Sequence, residues 1–120
     1  MQANERNAAY LWDILDSARK INDFIRGINI QEYMQNEMMQ LAIERLLEII
    51  GEAARRVSDD FKEEHSEIQW RNIIAQRNVL AHEYDNIKQE LIWTAISVHI
   101  PDLITKIEPL IPKIPDENEV

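Results

Sequence analysis

Apolar residues recur at three- and four-residue intervals through four stretches of this chain. In the first, Leu11, Ile14, Leu15, Ala18, Ile21 and Ile25 share one face, with Asp13, Asp16, Arg19, Lys20 and Asp23 around the rest. The pattern predicts a helix from Asn4–Glu5 to about Arg26, stopped at Gly27. Trp12 lies off the stripe, free to cover a neighbouring helix or a partner. In the second stretch, Met39, Ile43, Leu46, Ile50, Ala53 and Val57 alternate steps of four and three, a heptad-like seam. It predicts one helix from about Gln31 to Val57. Leu41, Ala42, Leu47 and Ile49 widen its apolar surface, as expected of a helix that sits centrally or meets a second subunit. Ala42, Gly51, Ala53 and Ala54 are small enough to admit another helix closely. Met34, Met38 and Met39 read as adaptable packing residues.

Residues 58–68, SDDFKEEHSEI, break the periodicity and read as an acidic connector with one short helical turn. His65 stands there among Glu63, Glu64 and Glu67, with nothing to fix them as metal ligands on one rigid face. A third helix starts near Trp70 and buries Ile73, Ile74, Val79 and Leu80. A fourth starts near Lys88, with Asn86 and Gln89 spaced as a capping box. Its apolar face is Ile92, Ile96, Ile100, Leu103, Ile107 and Leu110. Pro101 lacks a backbone donor, so a kink or break is expected near His99, itself a surface or packing residue. The fold class expected is all-α, an antiparallel four-helix bundle over residues 1–110, with 111–120 a mobile acidic tail.

Composition narrows this further. A chain of 120 residues supports one core. Two glycines and four prolines, three of those prolines beyond residue 108, favour long helices over many tight turns. The chain has no cysteine, which excludes disulfides and thiolate metal sites and suits the cytoplasmic location expected. No signal peptide and no membrane span are evident. A formal charge of −9 argues against non-specific nucleic-acid binding, so any RNA chemistry needs a local cationic pocket.

Candidate chemistry concentrates in Gln76–Tyr84, QRNVLAHEY. Asn78 and His82, four apart, share a helical face, whereas Arg77 and His82 point about 140° apart. Arg77 and His82 converge on one ligand only if the helix ends between them or if two copies of the chain build the site. A histidine transfers protons near neutral pH, and an arginine holds phosphate and stabilises charge developing on it. Together they suffice for metal-free RNA cleavage by a ribose 2′-hydroxyl. One His82 fills one proton-transfer role at a time, and a dimer supplies two. The same side chains also admit a structural use, with Arg77 paired to Glu83, Asp85 or a glutamate elsewhere and His82 and Tyr84 capping a helix end.

The order of AIERLLEIIGEAARRVS, HSEIQWRNII, QRNVLAHEYDNI and LIWTAISVHIPDL resembles the HepT-like branch of the HEPN superfamily over about residues 8–110. The most specific part is Arg-x4-His-x-Tyr, here Arg77, His82 and Tyr84, with Asn78 after the arginine. Ile50–Ala53, Trp70, Trp93 and Pro101 add to it. The resemblance implies a helical homodimer whose Arg and His motifs meet between subunits. It implies a metal-independent endoribonuclease without a cofactor, the toxin of a toxin–antitoxin pair, with Arg77 and His82 catalytic and Asn78 supporting. Its partner would be an MntA-like nucleotidyltransferase that transfers AMP to Tyr84, adding bulk and negative charge beside Arg77 and His82. Arg45, Arg55, Arg56 and Arg71 are candidates to line the cleft with Arg77. Two other classes stay open: a non-catalytic dimeric partner of a nucleotidyltransferase, and a nucleotide-binding helical module in which Arg77 holds a phosphate.

Overall fold

Gly27 takes φ 75°, a left-handed backbone that L side chains disfavour, and the first helix stops just before it. The computed structural model of the chain describes residues 3–82 and 87–111, with side chains over 5–80 and 87–111. Every regular element there is helical. The order is α1 (Ala3–Phe24), α2 (Ile30–Met34), α3 (Glu37–Arg56), α4 (Asp59–Glu64), α5 (Trp70–His82), α6 (Gln89–Thr94) and α7 (Ile100–Ile107). A π turn over Ala95–His99 joins α6 to α7, and a 3-10 turn, Glu108–Leu110, follows α7. The four long elements, α1, α3, α5 and the continuous run from Gln89 to Leu110, form an antiparallel bundle. In it α3 packs between α1 and α5, and α7 packs on α1. None of these helices is long and apolar enough to cross a membrane.

The stripes read from the sequence form the core. Leu11, Ile14, Leu15, Ala18 and Ile21 of α1 meet Ile43, Leu47 and Ile50 of α3, and Ile92, Ile96, Ile100, Leu103 and Ile107 close the bundle. The expected kink appears as the π turn. The Ile100 N–H reaches back five residues to the Ala95 carbonyl, and Pro101, which has no N–H to return to the preceding turn, sits at the start of α7.

Three local expectations are corrected. The helix expected over Gln31–Val57 is two helices, because Asn36 caps α3 by accepting from the Met39 N–H, as Asn29 caps α2 through the Glu32 N–H. Val79 is 45 % exposed, because α5 turns it away from α3 while Leu80 is buried. Gln89 opens α6 instead of standing three residues in, as the Asn86–Gln89 capping box requires. Asn86 lies outside the described residues, α6 is capped at Lys88, and the Gln89 side chain instead accepts from the Tyr33 hydroxyl at 2.6 Å and donates to Glu44 at 2.9 Å. Of the tail expected over 111–120, Ile111 packs against the core, and 112–120 lie outside the described residues.

The connector holds its one helical stretch, α4, capped by Ser58 through the Phe61 N–H. Phe61 stacks on His65 and meets Trp70 edge-on, while the Trp70 indole N–H donates to the His65 carbonyl at 3.0 Å. That cluster fixes where α5 begins. His65 is thus part of an aromatic brace, with its Nδ1 3.3 Å from Glu67.

Candidate functional site

Where α5 crosses α3, the stem of Arg77 lies directly on Gly51. A Cβ at Gly51 would overlap Arg77 Cβ and stand 2.7 Å from Arg77 Cγ and 3.2 Å from the Ile73 carbonyl oxygen. Glycine inside a helix costs about 1 kcal/mol relative to alanine. Here it permits a contact that no other residue allows. The next residue, Glu52, meets the Arg77 head group, with its Oε2 3.5 Å from Nη2. Arg77 Nη1 donates to Asn78 Oδ1 at 3.3 Å. Arg77 is therefore held at its stem by packing and at its head by two long polar contacts.

Glu52 has closer partners on its own helix. Its Oε1 accepts from Arg55 Nη2 at 2.8 Å and Arg56 Nε at 2.9 Å, and its Oε2 accepts from Arg55 Nε at 3.3 Å. Hydrogen bonds from Arg55 and then Arg56, aided by their charges, pull the Glu52 carboxyl from its ordinary 4.5 to about 2. The same bonds raise both arginines, and the nearby Tyr10 phenol raises Arg56 further. At any working pH the cluster is one carboxylate amid three guanidiniums.

These groups line a groove of about 420 Å³ bounded by Tyr10, Asp13, Arg45, Glu48, Ile49, Glu52, Ala53, Arg56 and Arg77. Of the four arginines picked out beside Arg77, Arg45 and Arg56 line the groove and Arg55 binds Glu52 at its edge. Arg71 does not line it. Arg45 faces Glu48 at 3.4 Å. Three arginines thus stand opposite three carboxylates, so the groove is close to neutral although its donors are guanidiniums.

The structure brings Arg77 and Asn78 together. His82 lies on the same helix, and α5 runs unbroken from Trp70 to His82. That removes the route in which a helix end between the two turns both toward one ligand, leaving them about 140° apart around one axis. The His82 side chain and Tyr84 lie outside the described side chains. Glu52, Glu48 and Tyr10 are the groove residues that sequence reasoning missed. The signal for the first was a glycine in a helix interior, which marks close approach of another backbone. Nothing in the sequence ties Tyr10 to Arg56. A second, more apolar groove of about 200 Å³ lies between α3, α5 and the π turn, with Gln76 and His99 on its wall.

The family model described as Ribonuclease HepT-like matches residues 14–110. Among curated proteins, the chain is 37% identical over 101 residues to "Probable ribonuclease HepT" of Thermococcus cleftensis, covering 84% of this chain and 92% of that one. It is 36% identical over 100 residues to "Putative RNase MJ1380" of Methanocaldococcus jannaschii, covering 83% and 92%. No solved structure matches it significantly. With a family model matching most of the chain and relatives aligned over most of their own length, the chain belongs to the HepT-like ribonuclease family.

Proposed function

We propose that this chain is a metal-independent endoribonuclease, the toxin of a toxin–antitoxin pair, with RNA as substrate. The observation that carries this reading is the clamped Arg77, a guanidinium immobilised at its stem by Gly51 and open to a groove. Such a group is suited to hold a phosphodiester and to stabilise charge on its oxygens as the phosphorus becomes five-coordinate. In the reaction, a ribose 2′-oxygen bonds to the adjacent phosphorus and the bond to the 5′-oxygen breaks. The 2′-hydroxyl proton leaves to a base, and a proton goes to the departing 5′-oxygen, giving a 2′,3′-cyclic phosphate and a 5′-hydroxyl. His82 is the group for these proton transfers.

Because Arg77 and His82 occupy positions about 140° apart around one unbroken helix, the reading requires a homodimer in which one copy's Arg77 faces its partner's histidine. Two histidines then serve as base and acid. Asn78 supports Arg77 through the contact between them. Control falls to Tyr84: a nucleotidyltransferase antitoxin would join its hydroxyl to AMP from ATP, releasing pyrophosphate. The added phosphate would compete for Arg77 and block RNA.

The test is the His82→Ala chain, purified alone. It should retain the wild-type dimer and helical content while losing RNA cleavage. Cleavage at the wild-type rate would overturn the assignment. Co-expression with an MntA-like nucleotidyltransferase should add the mass of AMP at Tyr84, and addition at another residue would remove Tyr84 from the mechanism.

A further inference from the structure

The Arg77 groove already contains an anion. We infer that Glu52 is an internal stand-in for substrate phosphate, occupying the anion position between Arg56 and Arg77 and yielding it when a single-stranded polyphosphate backbone enters. The inference rests on the ribonuclease reading for the identity of that backbone, and on geometry for the rest. A carboxylate and a phosphodiester each present a pair of oxygens to the fork of a guanidinium, so one can replace the other.

The distances show which contact yields. Glu52 is bound at 2.8 and 2.9 Å to Arg55 and Arg56, one turn along its own helix, and stands 3.5 Å from Arg77 on α5. Arg77 carries five N–H donors, and its two described contacts are both long. An incoming phosphate therefore takes over Arg77 while Glu52 stays anchored beside Arg55. The exchange replaces one monoanion by another and gains little for an isolated phosphate. A strand offering adjacent phosphates also reaches Arg56 and Arg45, and its second contact is made at high effective concentration. Glu48 and Asp13 stand on the same groove and oppose loose anions further. On a chain of net charge −9, this arrangement discriminates for polyanionic strands over single phosphates.

The test uses the full chain, wild type and Glu52→Gln, with two probes: a fluorescent 2′-O-methyl oligoribonucleotide, which binds without offering a nucleophile, and inorganic pyrophosphate. Glu52→Gln should tighten both by about three- to fivefold at low salt, the scale of a partly exposed ion pair. It should also steepen the dependence of log affinity on log salt by about 0.7, one extra phosphate contact on a single strand. Adding Arg77→Gln should abolish the gain. Equal or weaker binding by a folded Glu52→Gln chain would overturn the inference. If that variant does not fold, Glu52→Asp keeps the charge but draws it back from Arg77. It should then tighten binding by a smaller factor, and no tightening would be equally fatal. Should wild type neither cut RNA nor bind the oligonucleotide while Glu52→Gln gains pyrophosphate affinity, the stand-in survives and the ribonuclease reading falls.

Discussion

Gly51 of α3 is the seat on which Arg77 of α5 rests, Cα against side-chain stem. The contact converts helix packing into placement of a functional group, because α5 cannot shift without carrying Arg77 off the groove. An interior Gly→Ala change in a helix ordinarily stabilises by about 1 kcal/mol. Gly51→Ala should do the reverse, since its methyl would overlap Arg77 Cβ and press on the Ile73 carbonyl, neither of them a movable chain end. Overpacking of this kind costs about 1–3 kcal/mol. We expect a lower urea midpoint together with loss of RNA cleavage. A variant as stable as wild type would show that α3 and α5 are not in contact at this point.

Glu52 makes a prediction in pH. Its carboxyl titrates at about 2 in the folded chain against an ordinary 4.5, owing to hydrogen bonds from Arg55 and Arg56. A depressed folded value means the folded state holds its proton less tightly than the unfolded state. The stabilisation is therefore complete above pH 4.5 and is lost as pH falls toward 2. Exposure of the two arginines screens the effect and keeps it modest. Urea unfolding between pH 5 and pH 2 should show wild type losing more stability than Glu52→Gln. Parallel curves for the two would mean that the carboxylate is not held as described.

The four stripes were legible because each apolar face repeats over several turns, and periodicity survives ignorance of what the face packs on. Residues such as Ile14, Ile43 and Ile96 could be assigned to the core from spacing alone. The break at Gln35–Asn36 was obscured because Met34 and Met39 carry the apolar pattern past it. Two caps, Asn29 and Asn36, were the signal against one helix. Gln89 was misread because its partner Tyr33 stands 56 residues earlier, beyond any local rule. For Arg77, a glutamate elsewhere was among the pairings open in the sequence, yet in a chain this acidic only the α3–α5 crossing selects Glu52.

Tyr33 joins α2 to α6 through a polar link inside apolar packing. Its ring is fully buried and lies 5.3 Å from that of Trp93, and burial, then the nearby Glu44 carboxylate, push its hydroxyl well above the usual tyrosine range. The hydroxyl donates to Gln89 Oε1 at 2.6 Å, and Gln89 passes a hydrogen bond on to Glu44. Tyr33→Phe preserves the ring but leaves Gln89 Oε1 without that donor, a loss of about 1–2 kcal/mol. The expected result is a lower urea midpoint with unchanged slope. Wild-type stability would show that water replaces the hydroxyl without cost.

Ser58 acts at a distance from the groove through the aromatic brace. Its Oγ accepts from Asn7 Nδ2 at 3.0 Å and from the Phe61 N–H at 3.3 Å, while its own N–H donates to Asn7 Oδ1 at 3.0 Å. One side chain thus caps α4 and ties it to α1. Ser58→Ala removes the cap, worth about 1 kcal/mol, and takes a partner from the nearly buried Asn7 amide. We expect about 1–3 kcal/mol of destabilisation, with Ser58→Asp recovering the cap but not the Asn7 donor geometry. Because α4 carries Phe61 against Trp70 at the start of α5, fraying there loosens the helix that bears Arg77. Amide hydrogen exchange should therefore rise in α4 and the first turn of α5 of Ser58→Ala, ahead of α1 and α3. Exchange that rises uniformly over all helices would mean that the brace transmits nothing and that Ser58 contributes only to global stability.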